Sequence, residues 1–378
     1  MHEKRYLGAL NWVTAVLIAI IVILAILLAY KFTSPPPSQA GATSTVTVTT
    51  TSAPASLAIC PAHPHKKLTV YFITHGAPTD PFWIPVIEGA VYMGNLLNMT
   101  VVYEAPSTFS ISALVNLMQS ALAAKPDGII ISVPSGSAIQ PIIEQASSMG
   151  IPVIVVNVIP PPGSQPGFPY DKILSYVGQY DYNAGVEAGK YALKWFMRNY
   201  GKAPASVVIF NHEPGHIGLT LRQTGIENAL NGTGVKINVV PISLEYAQSY
   251  SIITSYLQAH PDTQLIFTLG PAGTDPAVAA VQNLGLQGKV FVMAFDIDNV
   301  TIQGIQKGIV IGAVNQQPLA QGMLPVYEMW LYLCYGITPP YNVTTGPAIL
   351  DKQTISLYDV QLLATQKYLT QYLQAITR

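Results

Sequence analysis

From Lys67 onward, apolar runs of strand length alternate with stretches patterned like amphipathic helices. LTVYFIT, TVVYE, GIIIS and IPVIVVN are separated by Pro85 to Asn98, Ile111 to Ala124 and Ile139 to Met149. Strands that are apolar almost throughout have no face for water, and helix-length connections suit parallel neighbours. The pattern therefore predicts βαβ units in a sheet covered on both faces. The proline-rich stretch PPPGSQPGFPYDK, residues 160 to 172, interrupts it, and a second series follows: SVVIF, VKINVVP, LIFTLG, VFVMAF and IVIGAV. Two series of this size predict two similar α/β lobes with parallel sheets rather than one oversized core. No glycine-rich dinucleotide fingerprint opens either series, which removes the main support for a nicotinamide oxidoreductase.

Upstream of the alternation, Val13 to Tyr30 is uncharged and mostly aliphatic. As a helix it would be about 27 Å long, close to the hydrocarbon thickness of a bilayer. Lys4 and Arg5 precede it and Lys31 follows, so residues 1–32 read as a transmembrane anchor with its N-terminus inside. A cleaved secretory signal competes, but the run is long for one and no Ala-x-Ala site follows closely. A pilin-like cut near Gly8 is a further alternative. Ile59 before Cys60 is too bulky, and too far along, for a lipoprotein cleavage box.

Residues 33–65 carry a Ser/Thr/Pro-rich tract, uncharged from Thr33 to Ser56 and without apolar period, and read as an extended stalk. Asn98, Asn231, Asn299 and Asn342 open glycosylation triplets. With the anchor they favour a domain outside the cell. Net charge is -1 with no basic cluster, which argues against nucleic acid. Cys60 and Cys334 are the two cysteines; they can pair in an oxidising compartment, but their spacing does not establish it. Charged residues make up 10% of the chain. Few carboxylates leave little to lose on acidification, which suits an acidic medium.

Ligands in open parallel sheets sit beyond the carboxyl ends of the strands. There the chain offers Phe82 and Trp83, then Ser132, Asn157, Arg222, Gly270, Asp296 and Gln316. Aromatic faces, amides, hydroxyls, one arginine and one aspartate suit a neutral polyol. Rings cover the apolar C–H face of a sugar, and forked polar groups meet its hydroxyls. Each residue alone also has a structural reading, as core, cap or surface partner; their common location carries the functional one. No serine–histidine or paired-carboxylate arrangement stands out, so no catalytic group and no cofactor is expected. NHEPGH contains His212, Glu213 and His216 in the order of a zinc hydrolase. Pro214 and Gly215 oppose the single helical face which that chemistry needs, and the segment reads as a strand-to-helix loop whose histidines brace the turn.

Over residues 66 to 345 these positions, in order, resemble the type I periplasmic sugar-binding family of ABC importers. DPFW (Asp80 to Trp83), KPDGIIISVPSGSAI, GIPVIVVN, YVGQYDYNAG, LRQTGIENAL, MAFDIDN and VNQQP carry the resemblance. Gly270 and Pro271 depart from the family's usual Asn-Asp pair and look closer to its rhamnose- and autoinducer-2-binding branch. The resemblance implies two Rossmann-like lobes joined by a three-segment hinge. The N-terminal lobe would span 66–160 and 317–338, and the C-terminal lobe 173–316 and 341–378. The crossings would fall near 158 to 176, Ala313 to Gln317 and Thr338 to Tyr341. It implies a small-molecule sugar, captured by clamshell closure, with ABC permease and ATPase subunits as partners. The zinc hydrolase and a sugar-sensing surface receptor of the same fold are the alternatives.

Overall fold

A computed structural model describes residues 48–49, 60–77 and 80–356, and in it the two apolar series form two sheets. The first contains β1 (Val48–Thr49), β2 (Thr69–Ile73), β3 (Thr100–Glu104), β4 (Gly128–Ile131), β5 (Val153–Asn157), β6 (Ser175–Gly178) and β12 (Val343–Thr344), in the order β1-β3-β2-β4-β5-β6-β12. All its pairings are parallel except that of β1. The second runs β13-β11-β10-β9-β7-β8, built from β7 (Ser206–Asn211), β8 (Lys236–Pro241), β9 (Leu265–Thr268), β10 (Phe291–Phe295), β11 (Val310–Asn315) and β13 (Ala348–Leu350). It is parallel apart from β13.

The continuous apolar runs explain why both faces are covered. In the first lobe, α1 (Trp83–Leu96) and α9 (Pro318–Tyr335) cover one face, and α2 (Ile111–Ala123) and α3 (Gly136–Ser148) the other. In the second, α4 (Asp181–Tyr200) and α5 (Ile217–Leu230) oppose α6 (Tyr246–Ala259), α7 (Pro271–Asn283) and α8 (Asn299–Gln306).

Helix α9 approaches α1 so closely that a Cβ at Gly322 would lie 2.1 Å from the Val86 carbonyl oxygen. Gly322→Ala is therefore expected to force the helices apart and destabilise the chain by about 3 kcal/mol. Chemical denaturation of both proteins measures this; an unchanged midpoint would contradict the tight approach.

Several boundaries differ from those expected. Strand β6 belongs to the first sheet, whereas the resemblance implies the second lobe from residue 173 onward. Its four residues directly follow the proline-rich loop, which returns the chain to the edge of the same sheet. Strand β12 likewise extends the first sheet, and only β13 joins the second. The three crossings thus fall between β6 and α4, between β11 and α9, and between β12 and β13. Val48 and Thr49 of the expected stalk pair with β3 as an edge strand. Cys60 and Cys334 form a disulfide that ties the chain ahead of β2 to the last turn of α9. Among the described residues no helix is long and apolar enough to cross a membrane. The run Val13 to Tyr30, most of the stalk and residues 359–376, whose Leu and Tyr spacing predicts a final helix, lie outside them.

Candidate functional site

The carboxyl ends of β2 and β5 in the first lobe face those of β7, β9, β10 and β11 in the second. Between them lies a cavity walled by His75, Asp80, Phe82, Trp83, Asn157, His212, Glu213, His216, Arg222, Gly270, Asp296 and Gln316, among others. Seven of the eight residues chosen from the sequence share this wall. Ser132 does not. Its Oγ lies behind the wall, accepting the His75 backbone N–H at 3.0 Å and meeting His75 Nδ1 at 2.9 Å. The serine positions an imidazole and does not itself reach the cavity.

Arg222 is the electrostatic centre. Helix α5 begins just past β7, so its second turn carries Arg222 back over the sheet end, where the residue is only 5% exposed. Its Nε donates to Asp181 Oδ1 at 2.8 Å, its Nη1 to the Leu269 carbonyl at 2.6 Å, and Asp296 Oδ2 lies 3.9 Å from Nη1. The guanidinium also covers the Phe295 ring at 4.8 Å. A buried arginine is sustained only by such partners.

Asp296 accepts from Gln316 Nε2 at 2.8 Å, and Gln316 Oε1 accepts from Asn157 Nδ2 at 3.3 Å. One amide chain thus links β5 to β11 across the lobes. Asn157, Asp296 and Gln317 all have left-handed backbones, with φ of 66°, 69° and 55°. Such conformations are uncommon outside glycine and cluster where side chains must be aimed at a site.

The remaining wall is rich in groups whose charge is suppressed. Burial raises Glu213 to about 8, with the Asp80 charge adding to the shift. Burial similarly raises Asp296 to about 7 and Asp80 to about 6. Burial, followed by the nearby Arg222 charge, lowers His75 and His212 to about 3. Near neutral pH these imidazoles are uncharged, so each offers both a donor and an acceptor.

The zinc reading meets a specific obstacle. His75, Glu213 and His216 place ligand atoms within 4.8 Å of one another, so the group that could hold an ion excludes His212. His212 directly follows β7, whereas His216 caps α5, so the two do not share a helical face. His216 Nδ1 accepts the Leu219 N–H at 3.2 Å, which leaves its Nε2 as the donor to His75 Nε2 at 2.8 Å. An ion there would have to displace that proton and break the cap. The imidazole pair is instead a hydrogen bond between the lobes, reinforced by the Ile217 N–H donating to the Pro134 carbonyl at 3.1 Å. The bracing expected of this loop is what His216 does.

His75, Asp80, His212, Glu213 and His216 also line the cavity and were not among the expected ligand residues. His75, His212 and Glu213 follow strand ends, as the expected residues do. A lone loop histidine more often bonds locally, and Glu213 stands out in the sequence only in the order of a zinc hydrolase.

Residues 70–336 match the family described as periplasmic binding protein domain. The chain is 28% identical over 306 residues to the xylose/arabinose-binding protein of Sulfolobus acidocaldarius, covering 79% of this chain and 74% of that protein. Among solved structures, an ABC sugar transporter's periplasmic sugar-binding protein from Legionella pneumophila superposes with a TM-score of 0.67 at 28% identity, covering 74% of this chain and 100% of that one. A carbohydrate transporter from Acidothermus cellulolyticus, in complex with myo-inositol, gives 0.68 at 27% identity, covering 77% and 96%. With two parallel-sheet lobes, three crossings and one shared cavity at the strand ends, the chain belongs to the periplasmic binding protein family.

Proposed function

We propose that the chain captures a neutral monosaccharide, pentoses foremost, outside the cell and presents it to an ATP-driven importer. The observation carrying this reading is the convergence of Trp83 and Asn157 from one lobe with Arg222, Asp296 and Gln316 from the far strand ends on a single cavity. Trp83 and Phe82 supply ring faces, while the amides and the Arg222–Asp296 pair supply forked hydrogen bonds. The named specificity of the Sulfolobus relative, xylose and arabinose, favours five-carbon sugars.

The cavity holds only about 30 Å³. That is room for at most a few water molecules, so a sugar enters only when the lobes part. Binding and closure are then one event: the sugar takes the place of the cross-lobe contacts, and the three crossings absorb the rotation. The N-terminal apolar run anchors the domain at the membrane, beside the permease and ATPase subunits that read the closed form.

Isothermal titration of the chain against a panel of pentoses and hexoses tests this. A micromolar dissociation constant, about -8 kcal/mol, is expected for at least one pentose. Silence toward the whole panel would overturn the reading.

A further inference from the structure

Gly270 follows β9, where the family resemblance places the first residue of an Asn-Asp pair. Its φ of 172° is extended backbone that any residue adopts, so the backbone does not demand glycine. What excludes a side chain is His212. A Cβ on Gly270 would lie 2.9 Å from His212 Cε1 and 3.2 Å from its Nε2, with Asp296 Oδ2 next at 3.9 Å. The imidazole, projecting from the end of the neighbouring strand β7, fills the space that a side chain at 270 would enter.

That imidazole has hydrogen-bonding capacity the fold does not use. It is 8% exposed, lines the cavity, and its Nδ1 is buried without a hydrogen-bond partner. An unpaired buried polar atom is costly, and such atoms are rare except where something else completes them. His216, four residues along, has both ring nitrogens engaged. The two histidines of the loop thus divide the work: one fastens the lobes, and the other carries an unpartnered nitrogen at the wall of the cavity that Arg222 and Asp296 also line.

We propose that His212 is a sugar-binding residue, its ring reaching from β7 into the volume that the absence of a side chain at Gly270 leaves beside β9. The inference rests on the sugar-binding reading above. Kept neutral, the ring can donate to one hydroxyl and accept from another. A side chain at 270 and the ring of His212 compete for one volume, so only one of them can line the cavity there.

Titration calorimetry with D-xylose and L-arabinose tests this on four full-length proteins: wild type, His212→Ala, Gly270→Asn and the double variant. His212→Ala is expected to weaken binding about tenfold, the scale of one lost hydrogen bond. Its melting temperature without sugar should stay close to wild type, because no internal hydrogen bond is lost. Gly270→Asn alone should also weaken binding, since its side chain collides with the ring. The double variant, with the ring gone, should recover to within about threefold of wild type. Wild-type affinity in His212→Ala, or a double variant no better than that single one, would overturn this role of His212 and leave the sugar-binding reading intact. A wild-type chain silent toward both pentoses and the wider panel would overturn both.

Discussion

Replacing Arg222 by alanine is expected to weaken sugar binding at least a hundredfold and to destabilise the folded chain by about 3–5 kcal/mol. The two effects have one cause. The guanidinium is the shared partner of Asp181, of the Leu269 carbonyl and of the nearby Asp296. Without it, two buried carboxylates face one another and a buried carbonyl loses its donor. Arg222→Lys separates the effects. It keeps the positive charge, which limits the stability loss, but it lacks the planar fork that holds several acceptors at once. Lysine is therefore expected to recover much of the melting temperature and little of the affinity. Calorimetry and thermal denaturation of the three proteins measure both. Wild-type affinity in either variant would remove Arg222 from the site.

The second large effect is on pH. A carboxyl whose folded pKa is raised contributes stability that is complete below its ordinary pKa and is lost as pH rises through the folded value. For Glu213 that window runs from 4.5 to about 8, for Asp296 from 3.8 to about 7 and for Asp80 from 3.8 to about 6. An imidazole whose folded pKa is depressed behaves oppositely. His75 and His212 contribute fully above 6.5 and lose that contribution as pH falls toward about 3.

Between these limits the two sets oppose each other. Above 6.5 the carboxyls act alone among these groups, and in strong acid the imidazoles do. Stability is therefore expected to peak between about pH 4 and 6.5, and to fall by about 2 kcal/mol by pH 8. For a domain of this size that is a drop of about 4 °C. Glu213→Gln should flatten the alkaline side of a melting-temperature profile. A profile that keeps rising from pH 6.5 to 8 would contradict the burial of these carboxyls. Low charge content alone had suggested only that acid is tolerated. The buried histidines add a term in the other direction, which appears below about pH 4.

What was legible in the sequence follows from which forces act locally. Runs such as GIII and VIVV are apolar at every position, so only a strand covered on both faces can accommodate them, and their order fixed the two lobes. The four residues of β6 and the two of β12 carry too little pattern of their own. Their sheet is decided by where the chain returns after a loop, a non-local matter. The same distinction holds at the site. Asn157, Arg222, Asp296 and Gln316 were found because the strand-end rule places them, and the structure brings them to one cavity.

Ser132 obeys the rule as well, yet its hydroxyl turns to His75, an orientation no spacing reveals. His212 was hidden for another reason. Its meaning depends on the missing side chain at Gly270, nearly sixty residues away and adjacent only once β7 and β9 pair.

A crystal structure of the chain grown with D-xylose or L-arabinose tests the central claim most directly. The account predicts one sugar between the lobes, its ring against Trp83 and its hydroxyls within hydrogen-bonding distance of Arg222, Asp296 and Asn157. A sugar seated elsewhere, or touching one lobe alone, would contradict it.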